Sequence, residues 1–267
     1  QEFEERTGWN VRVETGSAKE MLSQLEKEEA DWDVAFGVSA DALEEGKEYW
    51  QTGKDAWTGY SAVSFVILYN TNVVTYRELP TGWDSLLEPR WKGRVAVPDP
   101  LKSDMAASVL TEAAKNSEKE EFLDLLAENM QYQMPETFKE VEQGISDGRY
   151  SIGVTSEEAA KAMLAAGQDV DYIDPEEGEC FFEDGTAIRK RTPNLDASEA
   201  FVTYTTCDDT KWLLRTQLLR QPAEDVAAEN DRSDEDLKQR YSRQQEVLNI
   251  WKLIMEEKSG SAHEQEQ

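Results

Sequence analysis

Two stretches place small polar side chains where an apolar strand pattern turns into a helix, an arrangement able to hold the oxygen atoms of a solute. The first is Pro98-Asp99-Pro100-Leu101-Lys102-Ser103-Asp104-Met105, after the apolar Val95-Ala96-Val97. The second is Thr155-Ser156-Glu157-Glu158, after Gly148 to Val154. Ser or Asp before an Ala-rich segment is a strong helix-start signal. The first helical turn also leaves backbone N–H groups without intrahelical partners. Those N–H groups, the hydroxyls of Ser103, Thr155 and Ser156 and the ammonium of Lys102 suit a phosphate, phosphonate or carboxylate. Asp99, Asp104 and Glu157 bring the opposite sign. If Asp104 turns away as a cap, the anion site stands; if it turns inward, the solute needs a cationic or hydroxyl group. A third small-residue turn, Gly37-Val38-Ser39-Ala40-Asp41, follows the strand pattern of Asp33 to Phe36, and Ser61 precedes the most hydrophobic strand. Such caps also occur in any α/β protein, so spacing alone leaves the structural reading beside the functional one.

No pattern marks catalysis. With 56 acidic residues a carboxylate pair can be found anywhere, and no spacing distinguishes one for glycoside hydrolysis. There is no Gly-x-Ser-x-Gly elbow, phosphate-binding loop or His-Glu-x-x-His run. Cys180 and Cys207 form no Cys-x-x-Cys pair, and the single histidine, His263, sits in a polar tail. Zinc, iron–sulfur and haem sites therefore lack ligands, and no metal or cofactor is expected. The cysteines read as small buried or half-buried residues, with a disulfide as the other option.

The elements that must position these residues alternate between strand and helix patterns, the signature of layered α/β architecture. Gln1 to Thr7 reads as a helix closing at Gly8. Val11-Arg12-Val13 alternates as a strand, Ser17 to Glu29 carries Ala18, Met21, Leu22 and Leu25 on one helical face, and Asp33 to Phe36 follows as a strand. The short crossover predicts that these two strands lie parallel with a right-handed connection. Further strands are expected at Ser64 to Asn70, Val95 to Val97 and Gly148 to Val154. Helices are expected over Asp104 to Asn116, Lys119 to Asn129, Phe138 to Gln143 and Ala159 to Ala166. A last helix, Arg240 to Glu257, carries Tyr241, Val247, Leu248, Trp251 and Ile254 on one stripe and so docks on the body. Residues 259–267 read as a disordered tail.

Composition narrows the class. The 267 residues are long enough for two lobes. A formal net charge of −28 repels nucleic acid. The longest apolar stretch, Ala62 to Tyr69, is strand length and far short of the ~18 residues of a membrane span. Strong acidity suits either a secreted protein or a halophile's.

Several runs resemble one family over Gln1 to about Val226. They are Phe3-Glu-Glu-Arg-Thr-Gly-Trp-Asn-Val11, Ala30-Asp-Trp-Asp-Val-Ala-Phe36, Leu68-Tyr-Asn-Thr-Asn72 and, most specifically, Leu79-Pro-Thr-Gly-Trp-Asp-Ser-Leu-Leu-Glu-Pro-Arg-Trp-Lys-Gly-Arg94. Asp184 to Ile188, Thr192 to Phe201 and Arg220 to Val226 follow in family order. The chain is similar to the ferric-iron, phosphonate and sugar-phosphate branch of the bacterial extracellular solute-binding proteins of ABC transporters. The resemblance implies an α/β, two-lobed type II periplasmic binding protein fold with a ligand cleft between the lobes. Lobe one would hold residues 1–95 and 187–235, lobe two residues 96–186 and 236–267, with hinge strands near Val95 to Val97 and Asp184 to Ile188. It implies a monomer without enzymatic activity that captures a small solute by hinge closure and presents it to an ABC permease. The same fold also serves sensor kinases.

The resemblance further implies an extracytoplasmic place, in the periplasm or as a cell-surface lipoprotein, reached through a signal peptide upstream of Gln1. Ferric-binding members carry two adjacent tyrosines after the strand matching Ser151 to Val154, where this chain has Thr155-Ser156-Glu157. A small anionic solute, such as a phosphorylated sugar or phosphonate, is therefore expected, with a ferric or other metal-binding member as the alternative. Glu177 either accepts sugar hydroxyls or is solvated; Phe181 and Phe182 either stack on the solute or lie in the core. Trp57 and Tyr60 are open between cleft wall and core cover, while Trp83 and Trp91 read as structural.

Overall fold

Capping side chains mark where four of the helices begin. Ser17 accepts the Glu20 N–H at 3.2 Å while the Glu20 carboxylate accepts the Ser17 N–H at 3.0 Å, and the helix starts at Ala18. Ser103, Thr137 and Ser156 start three more, each accepting one backbone N–H without the reciprocal bond. The computed structural model describes residues 2–51, 56–226 and 234–265. In chain order the elements are α1 Glu2–Thr7, α2 Ala18–Glu26, β1 Val34–Ser39, α3 Ala40–Glu45, β2 Thr58–Asn70, β3 Val95–Ala96, α4 Asp104–Asn116, α5 Phe122–Asn129 and α6 Phe138–Ser146. Then come β4 Ile152–Ser156, α7 Glu157–Ala165, β5 Val170–Ile173, β6 Cys180–Ile188, α8 Leu195–Thr205, α9 Asp208–Leu213, β7 Gln221–Pro222, α10 Ala223–Val226 and α11 Asp234–Gln265.

The chain forms two compact units. Unit 1 comprises Gln1–Ala62 and Glu183–Ser242; unit 2 comprises Val63–Phe182 and Arg243–Gln267. It passes from one to the other within β2, β6 and α11. The sequence reading puts the first crossing near residue 95, but β3 is a two-residue strand, whereas β2 is long and apolar enough to contribute to both units. The later crossings, expected at 186–187 and 235–236, fall at 182–183 and 242–243.

In unit 1, β1 and β6 pair antiparallel, with Val34 opposite Ile188 and Ser39 opposite Asp184. A bulge between Phe36 and Val38 is accommodated by Gly37 at φ +69°. Leu22, Leu25, Ala35, Leu43, Trp50 and Ala187 form the core, and the Trp50 indole N–H donates to the Leu43 carbonyl at 2.8 Å. The strand expected at Val11 to Val13 is absent: both valines are exposed and three alternating residues provide no buried face. The parallel pairing expected of it is therefore not made, and β1 has an antiparallel neighbour instead.

In unit 2 the second half of β2 pairs antiparallel with β4 and β5, and β3 runs parallel to β4, Val95 opposite Ile152 and Ala96 opposite Gly153. Glycine is required at 153, because a Cβ there would come within 2.5 Å of the Ala96 carbonyl oxygen. Phe65, Ile67, Trp83, Leu86, Leu110, Phe122, Leu126 and Val154 pack with Trp251 of α11 into one cluster. α11 buries Val247, Trp251 and Ile254 as its stripe predicts. Its backbone is helical to Gln265, within the stretch the sequence reading takes as a disordered tail. Residues 266–267 lie outside the described chain.

Candidate functional site

The parallel pair β3–β4 leads into both helix starts expected from the sequence. Both chains leave it in the same direction, one through Pro98–Ser103 into α4, the other through Thr155 and Ser156 into α7. Two capped helix starts consequently lie off the same end of the unit 2 strands, where open α/β sheets bind ligands. The Ser103 Oγ accepts the Ala106 N–H at 3.3 Å and the Ser156 Oγ the Ala159 N–H at 3.1 Å. A hydroxyl that accepts keeps its own proton to donate.

The other expected residues of this unit are engaged in different ways. The Asp99 Oδ1 accepts the Leu101 N–H at 3.0 Å, which orders the loop before α4. Lys102 is exposed and ion-paired with Glu136. Asp104 opens α4 and is half-buried, and its carbonyl accepts from the Gln244 amide at 3.1 Å. Thr155 is fully buried and donates its hydroxyl proton to the Glu142 Oε1 at 2.6 Å. Burial raises the Glu142 carboxyl pKa, opposed by Thr155 and the nearby Lys139. Glu157 pairs with Lys161 at 2.7 Å on the first turn of α7.

Two expectations in this unit meet a structural use. The Glu177 carboxylate accepts the backbone N–H groups of Trp83 at 2.9 Å and Asp84 at 3.0 Å, capping the short 3₁₀ turn Trp83–Leu87. Gly82 makes this possible, since a Cβ there would overlap that carboxylate, and the Trp83 indole donates to the Gly178 carbonyl at 3.0 Å. The specific Pro-Thr-Gly-Trp-Asp run is thus the seat of Glu177, and that carboxylate is already satisfied within the fold. Phe181 and Phe182 are both buried, the second in the main core cluster.

In unit 1, Gly37 is exposed at the β1 bulge and Ser39 is buried at the start of α3. Ser61 is fully buried. Its N–H and hydroxyl both donate to the Asp184 Oδ1, at 3.1 and 2.9 Å, while Arg220 donates to Oδ2 at 2.8 Å. The exposed Phe36 ring lies 4.7 Å from the ring of Tyr60. Trp57 lines a pocket of about 270 Å³ with Gln51, Thr186 and Leu195. Cys180 is buried, Cys207 half-buried, and the two form no disulfide. Trp83 and Trp91 are buried core residues.

Glu142, Glu183 and the Asp184–Arg220 pair were not legible as a group in the sequence. Glu142 sits between core residues Val141 and Ile145, thirteen positions before its partner, with no motif to join them. Among the described residues no set of three or more His, Cys, Asp or Glu side chains is placed to hold a metal ion. None of the described helices is long and apolar enough to cross a membrane.

A family model described as bacterial extracellular solute-binding protein matches residues 20–245. The chain is similar to iron uptake protein A1 of Synechocystis sp., 23% identical over 86% of this chain and 69% of that one. Among solved structures it is similar to the ferric binding protein from Campylobacter jejuni, with a TM-score of 0.74 at 16% identity, covering 95% of this chain and 93% of that one. It is equally similar to the periplasmic binding protein AfuA from Actinobacillus pleuropneumoniae with fructose-6-phosphate bound, with a TM-score of 0.75 at 14% identity over 96% and 93%. The α/β fold is that of the type II periplasmic binding proteins.

Proposed function

Because this chain belongs to the family of bacterial extracellular solute-binding proteins, we propose that it captures a small phosphate- or phosphonate-bearing solute for an ABC importer. The coarser role, an extracellular solute-binding protein of an ABC importer, follows from the family. The finer assignment is supported by one observation: β3 and β4 run parallel, so the caps Ser103 and Ser156 and the free N–H groups of two helices lie off one strand end. Lys102 adds a cation that can exchange Glu136 for a solute oxygen. The many carboxylates nearby favour a solute whose anionic group is accompanied by hydroxyls, a phosphorylated sugar before a bare anion. A structural relative binding fructose-6-phosphate agrees with this.

A ferric ion is the second reading, favoured by the names of two relatives. Delivery to a membrane permease, rather than to a sensor kinase, is the partner we assign. The test is a thermal-shift screen of the protein against fructose 6-phosphate, 2-aminoethylphosphonate, inorganic phosphate, citrate and Fe(III). A ligand that binds only the folded state raises the midpoint, by the equivalent of ~2.7 kcal/mol at a hundredfold excess over Kd. A shift with phosphorylated compounds that shrinks in both Ser103→Ala and Ser156→Ala is expected. A shift with Fe(III) alone overturns the assignment in favour of metal transport.

A further inference from the structure

We draw no further inference here: the strongest candidate, the outer edge of β1 in unit 1, which pairs only with β6 among the described residues and leaves Phe36 exposed, carries nothing because nothing in the structure shows what covers it.

Discussion

Ser61 of unit 1 and Ser103 of unit 2 both adjoin strands and were equally plausible solute ligands in the sequence, but the two units use them in opposite ways. Ser61 gives its N–H and its hydroxyl to Asp184, whose other oxygen takes Arg220, and the carboxylate and serine are sealed from solvent. Ser103 accepts a single N–H from its own helix, beside a Lys102–Glu136 ion pair whose side chains are 50% and 64% exposed. Polar groups in the first region are consumed by the fold. In the second, Ser103 stays half-buried and Lys102 exposed, as their proposed role in solute binding requires. Burial and saturation of hydrogen bonds, rather than residue type, separate Ser61 from Ser103.

The largest effect that can break this contrast is expected at Arg220. Replacing it in Arg220→Met leaves Asp184 buried with its charge unmatched, which costs about 3–5 kcal/mol for buried pairs. A lowered urea midpoint with unchanged solute affinity is expected; loss of affinity in a folded variant would place Arg220 in the binding site. Changing both partners, in Asp184→Asn with Arg220→Met, is expected to recover much of the midpoint.

Next in size is Glu183, adjacent in β6, whose carboxyl is pushed up to about 7 by burial and by Asp184, with Arg240 opposing. An acid whose folded value lies above its ordinary 4.5 keeps its proton longer in the folded protein than in the unfolded chain. Its contribution is therefore most favourable below about pH 4.5 and declines as pH rises to about 7, a loss on the order of 3 kcal/mol. Glu183→Gln is expected to flatten that part of the stability profile, measured by urea denaturation between pH 5 and 8. The same slope in the variant as in wild type would show that Glu183 is solvated.

Much of this contrast lay beyond sequence reading, for physical reasons. α4 was legible residue for residue because Ser103 is a local cap and the helix carries its own apolar face. The strand at Ser64 to Asn70 was legible because its hydrophobicity exceeds anything around it. Ser61 pairs with Asp184 across 123 positions, and Glu177 with the N–H groups of Trp83 and Asp84 across more than 90. Neither spacing nor periodicity encodes contacts of that range. The Val11 to Val13 strand failed for the converse reason: local alternation was present, but no buried surface received it.

The smallest stability effect and the sharpest functional one should coincide at Lys102. Its ion pair with Glu136 is exposed on both sides, and such pairs contribute about 0–1 kcal/mol. Lys102→Met is accordingly expected to leave the urea midpoint within about 0.5 kcal/mol of wild type. If Lys102 exchanges Glu136 for a solute phosphate, the same variant weakens fructose 6-phosphate binding, and the loss diminishes with added salt because the exposed attraction is screened. Glu136→Gln provides the complementary reading. It frees the ammonium from its competitor, so affinity should rise where Lys102→Met makes it fall. Opposite changes in the two variants at nearly constant stability would mark this region as exchangeable. Parallel changes would return Lys102 to the structural class of Ser61.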